Sequence, residues 1–137
     1  MNDNEEERGL SILGSTGSIG TQALEVVSAH PGRLRVVALT AHHNLDLLEE
    51  QARRFRPYMV GLVSEEEATR LEDRLRGTGI EVRGGKECLI EAAAHPKAQI
   101  VINAVVGSAG LPPSLAALEA GKRLALANKE SMVAGGE

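Results

Sequence analysis

Three glycines at a spacing of three, in Ile12-Leu13-Gly14-Ser15-Thr16-Gly17-Ser18-Ile19-Gly20-Thr21, constrain this chain more than any other feature. They follow Leu10-Ser11-Ile12-Leu13, a short run that reads as a buried strand. They precede Ile19, Ala23, Val26 and Val27, whose offsets of four, seven and eight put them on one helix face. A strand, a glycine turn and a helix are how a chain presents its backbone to a phosphate. Glycine lets the turn tighten and removes the side chain that would block a pyrophosphate. The free N–H groups at the helix start then point at the anion. Ser15, Thr16 and Ser18 add hydroxyl donors in the same turn. The spacing is G-x-x-G-x-x-G rather than the G-x-G-x-x-G of the commonest dehydrogenases. A tight turn with no ligand is the plainer reading of such a triplet, and the flanking strand and helix weigh against it.

Beyond the turn, strand and helix patterns alternate. His30-Pro31-Gly32 stops the first helix, and Val36 to Leu39 reads as a second buried strand. Asn44 caps a helix with Leu45, Leu48, Ala52 and Phe55 on one face, ended by Pro57. Tyr58 to Val63 is a third strand, and Ser64 to Glu67 has the form of a capping box before a helix burying Ala68, Leu71 and Leu75. Ile80 to Arg83 reads as an edge strand and Lys86 to Ala94 as a short helix. Ile100 to Val106 is the clearest buried strand, Gly107 to Gly110 a turn, and Pro112-Pro113 the first turn of a helix running to Ala120. Arg123 to Ala127 is a last strand, followed by Asn128-Lys129-Glu130-Ser131. The pattern predicts an α/β fold, a doubly wound, mostly parallel sheet with helices on both faces. Ligands of such sheets bind at the carboxyl ends of the strands. Those ends are the loops Gly14 to Gly20, Thr40 to Asn44, Gly107 to Gly110 and Asn128 to Ser131.

Composition removes several function classes. The chain has 137 residues, a single-domain length, with one Phe, one Tyr and no Trp, so its core is aliphatic. Base-stacking platforms for nucleic acid need exposed aromatics. A net charge of −4 also opposes a general nucleic-acid or membrane binder. The single cysteine, Cys88, reads as a structural thiol in a reducing, cytoplasmic setting. Neither a signal peptide nor a membrane span is evident.

The second loop bears on the cofactor. NAD-binding sites of this kind carry an Asp or Glu at the end of the second strand, on the ribose 2′-hydroxyl. Here that end reads Thr40-Ala41-His42-His43-Asn44, with no carboxylate to repel a 2′-phosphate. This favours NADPH, with His43 and Asn44 as donors. The plainer reading makes the histidines solvated and Asn44 only a cap. Asn103, inside an apolar strand, reads as a satisfied core amide.

Four segments together resemble 1-deoxy-D-xylulose 5-phosphate reductoisomerases: the glycine turn, Arg35-Val36-Val37-Ala38-Leu39, Val106-Gly107-Ser108-Ala109-Gly110-Leu111, and Leu126-Ala127-Asn128-Lys129-Glu130-Ser131. The last is the most specific, and the four occur in the family's order along the whole chain. The resemblance implies a Rossmann-like NADPH-binding domain over residues 1–137. It implies an oxidoreductase of non-mevalonate isoprenoid biosynthesis, typically homodimeric and inhibited by fosmidomycin. Family enzymes rearrange 1-deoxy-D-xylulose 5-phosphate and reduce the product with NADPH to 2-C-methyl-D-erythritol 4-phosphate. A divalent metal (Mg²⁺, Mn²⁺ or Co²⁺) holds the substrate.

Carried over by the resemblance, Thr16, Gly17, Ser18 and Ile19 bind the NADPH pyrophosphate. His42, His43 and Asn44 lie at the adenosine ribose and its 2′-phosphate. Asn128 and Glu130 contact the cofactor, and Lys129 reaches the substrate. By themselves these last residues read as a cap and a solvated helical turn. His43 stands where the family often has a basic residue, a departure that bears on how strongly the 2′-phosphate is held. The family's metal carboxylates come after its Asn-Lys-Glu motif, and this chain stops at Glu137. It is therefore expected to be the N-terminal part of a longer enzyme, with no catalytic residue and no metal ligand of its own, and inactive alone.

Two other readings compete. A semialdehyde-dehydrogenase-like reductase would need a nucleophilic cysteine, and Cys88 is expected far from the cofactor face. A stand-alone, non-enzymatic nucleotide-binding module would use the same fold.

Overall fold

The computed structural model describes residues 7–126. Among them, six parallel strands form one sheet: β1 (Arg8–Leu13), β2 (Leu34–Ala41), β3 (Met59–Leu62), β4 (Glu81–Gly84), β5 (Ile100–Asn103) and β6 (Arg123–Leu126). Five helices connect them: α1 (Ser18–Ala29), α2 (Leu45–Phe55), α3 (Glu65–Arg74), α4 (Glu87–Ala93) and α5 (Leu111–Glu119). A 3₁₀ turn over Gly107–Gly110 leads into α5. The strand order is β4-β3-β2-β1-β5-β6. The chain builds outward from β1 to β4, then returns to lay β5 on the free side of β1. The expected doubly wound α/β sheet is thus present, and its order reverses between β1 and β5.

Both faces are covered. On one, α1, α2 and α3 pack Leu24, Val27, Leu48, Ala52 and Leu71 against Leu10, Ile12, Leu39, Val60 and Leu62. On the other, Ala92, Ala93 and Ala117 from α4 and α5 meet Leu13, Val37, Met59 and Val101. The core is aliphatic, as the composition predicts, and Tyr58 is 41% exposed. Asn44 and Ser64 cap α2 and α3 by accepting the Leu47 and Glu67 N–H groups. Arg74 of α3 ties the two helices at the surface, donating to Asp46 at 2.8 Å and Glu49 at 3.0 Å.

The structure shifts two expectations. The helical spacing puts Val26 on the buried face of α1, but it is 55% exposed. The buried stripe is Gly20, Leu24 and Val27 instead. It is set by Gly20, which must face the turn below it. The strand expected over Ile100 to Val106 ends at Asn103, and Val106 is 74% exposed. Its neighbour β1 ends at Leu13, whose carbonyl takes its last bond from the Ala104 N–H at 2.9 Å. With no ladder to continue, the Val105 N–H turns to the Asn103 side chain.

The Ser11 hydroxyl of β1 is fully buried and has no partner. Leaving a buried hydroxyl unpaired costs on the order of 1 kcal/mol or more. Ser11→Ala is expected to stabilise the chain by about 1 kcal/mol, read as a higher denaturant midpoint at unchanged slope.

Candidate functional site

At the carboxyl ends of the strands lies a cleft of about 900 Å³. Its floor is Gly14, Thr16 and Gly17, beside the β1–β5 reversal. One wall is Thr40, Ala41 and His42 from the end of β2. The opposite wall is Ala104, Val105, Val106, Ser108 and Ala109 after β5. Val63 and, from the start of α4, Lys86, Glu87 and Ile90 close the far end.

The three glycines have separate tasks. Gly14 has φ +82°, the left-handed conformation that turns the chain sharply off β1. A Cβ on Gly20 would lie 2.3 Å from the Gly14 carbonyl oxygen and 2.6 Å from Ser15 Cα, so only glycine lets α1 start this close to the turn. Gly17 is relaxed at φ −79°, and a Cβ there would meet only the Gly14 oxygen, at 3.8 Å. Its open side faces the cleft, where a side chain would stand in the way of a ligand.

The backbone donors sort in the same way. The Gly14 and Ser15 N–H groups donate to the Thr40 carbonyl at 3.0 and 2.8 Å. The first N–H of α1 with an acceptor in the chain is that of Thr21, to Gly17. Those of Ser18, Ile19 and Gly20 have none among the described residues, and no side chain caps the helix. Three unpaired donors at the positive end of a twelve-residue helix make a start that suits an anion.

Two buried amides hold the loops that frame the cleft. Ser15, expected as a ligand donor, is fully buried, and its hydroxyl donates to Gln51 Oε1 of α2 at 2.8 Å. Gln51 Nε2 donates back to the Ser15 carbonyl at 2.9 Å. Across the cleft, Asn103 Nδ2 donates to the Gly110 carbonyl and to Ser114 Oγ, each at 2.8 Å. Its Oδ1 accepts from the Val105 N–H at 3.0 Å, so Asn103 is the satisfied core amide that was expected.

Of the residues expected at the cofactor, Thr16, Gly17 and His42 line the cleft, whereas Ser18 and Ile19, the first residues of α1, follow Gly17 without lining it. His43 is exposed, and its Nδ1 lies 3.1 Å from that of His42. The Asn44 side chain caps α2. Asn128, Lys129 and Glu130 lie outside the described residues. Sequence reasoning missed Lys86, Glu87 and Ile90. The available signal was topological, since every loop after a parallel strand emerges at this edge.

Cys88 corrects another expectation. Its helix is not remote, since Glu87, Leu89 and Ile90 line the cleft. The thiol itself faces the sheet, 1% exposed, where a Cβ on Gly61 would come within 2.7 Å of its sulfur. Burial, followed by Glu91 and Glu87, pushes it up to about 12. Among the described residues, no group of three or more His, Cys, Asp or Glu could hold a metal, and no helix is long and apolar enough to cross a membrane. At about pH 8 the folded chain is expected to resist iodoacetamide at Cys88 while the unfolded chain is alkylated quickly, as intact mass will show.

Comparison with known proteins places this cleft in context. Residues 10–136 match the family described as 1-deoxy-D-xylulose 5-phosphate reductoisomerase. A protein of that name from Symbiobacterium thermophilum is 50% identical over 135 residues, which are 96% of this chain and 35% of that protein. One from a Synechococcus strain is 53% identical over 131 residues, 93% of this chain and 33% of that protein. The chain spans about a third of the length of the curated relatives it matches. Among solved structures, the Zymomonas mobilis reductoisomerase in complex with NADPH superposes with a TM-score of 0.85 at 37% identity, over 95% of this chain and 34% of that one. A DOX-P reductoisomerase with NADPH, fosmidomycin and magnesium gives 0.84 at 41%, over 92% of this chain and 31% of that one.

Proposed function

The chain belongs to the 1-deoxy-D-xylulose 5-phosphate reductoisomerase family, and on that footing we propose that it is the NADPH-binding domain of such an enzyme. The observation that carries this reading is the row of unpaired amides at Ser18, Ile19 and Gly20 beside the open face of Gly17. They offer a diphosphate several donors and no steric barrier. The β2 end offers His42, His43 and Asn44 and no carboxylate, which suits a 2′-phosphate. The apolar walls at Val105, Val106 and Ile90 suit the flat faces of a dinucleotide's rings.

In this role Thr16, Gly17, Ser18 and Ile19 hold the pyrophosphate, and His42, His43 and Asn44 lie at the adenosine end. Asn128 and Glu130 contact the cofactor, and Lys129 reaches the substrate. Bound NADPH supplies a hydride. The domain fixes the dinucleotide so that its nicotinamide faces the substrate, while the apolar walls exclude water. The whole enzyme would convert 1-deoxy-D-xylulose 5-phosphate to 2-C-methyl-D-erythritol 4-phosphate as a homodimer. Its divalent metal would sit on ligands outside this chain, which would therefore be inactive alone. The buried, high-pKa Cys88 and the family match both disfavour a semialdehyde-dehydrogenase reading. They give no support to a non-enzymatic module.

Calorimetric titration of the chain with NADPH and with NADH tests this reading, the expected result being binding with preference for NADPH. Binding of neither would overturn it. His43→Asp, which sets a carboxylate against the 2′-phosphate, is expected to weaken NADPH about tenfold and leave NADH within about twofold. Equal effects on both would remove His43 from the 2′-phosphate.

A further inference from the structure

The Ser15–Gln51 pair does more than fill hydrogen bonds. All the polar groups of Ser15 are engaged inside the protein: its N–H by the Thr40 carbonyl at 2.8 Å, its hydroxyl by Gln51 Oε1 at 2.8 Å, and its carbonyl by Gln51 Nε2 at 2.9 Å. The carboxamide cannot be turned over, because a backbone carbonyl can only accept. Nε2 must therefore face Ser15 O, and Oε1 the hydroxyl.

The consequence runs through one peptide bond. The Ser15–Thr16 peptide is trans, as are the others described, so its C=O and N–H point in opposite directions. With the carbonyl drawn inward to Gln51, the Thr16 N–H is turned outward, and Thr16 lines the cleft. That N–H has no acceptor among the described residues. The same arrangement keeps a carbonyl oxygen, which would repel an anion, out of the cleft. Gln51 is itself only 6% exposed and sits beside Leu48 and Ala52, both fully buried, so its aim is held by the core.

We propose that Gln51 is a positioning residue for the diphosphate of the dinucleotide, acting by fixing the Ser15–Thr16 peptide so that the Thr16 N–H faces the ligand. It touches no ligand atom itself. This assignment rests on the proposed NADPH site, and the test separates the two.

The chain, Gln51→Met and Gln51→Glu are titrated at about pH 6 with NADPH and with adenosine 2′-monophosphate, which lacks the diphosphate. At that pH a buried Glu is driven to its neutral form, which again offers one donor and one acceptor to Ser15. The expected result is about a tenfold loss of NADPH affinity in Gln51→Met, with adenosine 2′-monophosphate held within about twofold and Gln51→Glu nearer the parent chain. Equal loss for both ligands, no loss, or Gln51→Glu no better than Gln51→Met would overturn the proposal. If the parent chain binds neither ligand, the NADPH reading falls. The positioning role is then judged in the ligand-free chain by amide hydrogen exchange. The Ser15 amide is expected to exchange at least about tenfold faster in Gln51→Met while that of Leu39 keeps its rate, and unchanged exchange at Ser15 would overturn it.

Discussion

The closeness with which α1 begins against the end of β1 governs the whole carboxyl edge of this sheet. A Cβ at Gly20 would lie 2.3 Å from the Gly14 oxygen, inside any tolerable contact. Because that position is glycine, the helix starts one tight turn after the strand, and its first N–H groups, at Ser18, Ile19 and Gly20, are left without acceptors next to Gly17, which lines the cleft. The buried stripe of α1 follows from the same contact. With Gly20 facing down, Leu24 and Val27 must follow it into the core, and Val26 is left outside.

The second layer of control is polar and buried. Gln51 from one side of the sheet and Asn103 from within it each satisfy backbone groups of a loop that frames the cleft. The loop at Ser15 has no regular secondary structure to hold it, and the loop after β5 has only the short 3₁₀ turn Gly107–Gly110. A buried amide whose oxygen and nitrogen both have partners is a stiff connection, because breaking it strands polar groups away from water. The cleft is thus bounded by loops whose backbone directions are set by residues that do not face it. Such an edge suits a large, flexible, anionic ligand. The protein has little to reorganise on binding, and an anion meets N–H groups already free of other partners.

Much of this was legible in the linear chain, for local reasons. The glycine spacing, the caps at Asn44 and Ser64 and the continuous apolar strands each act within a few residues. Strand–helix alternation then permits only a parallel sheet with two covered faces. Less legible were features that depend on a partner far away in sequence. Ser15 reads as a donor to a ligand, yet it is turned inward by Gln51, thirty-six positions later. Ile100 to Val106 reads as one strand, yet it ends where β1 stops offering carbonyls. Lys86 and Glu87 carry no mark of a site until β3 and β4 bring them to the cleft's far end.

The amino-acid sequence by itself therefore determined the class of fold, the place of the glycine turn and the absence of a carboxylate beside the second strand. These rest on backbone sterics, hydrophobic period and residue identity, which need no knowledge of distant contacts. Tertiary structure alone decided which side of β1 receives β5, where the cleft lies, and which polar groups are left free to meet a ligand. Those are outcomes of competition for hydrogen-bond partners across the sheet. A donor's availability depends on every acceptor within about 3 Å, and most of those acceptors come from elsewhere in the chain.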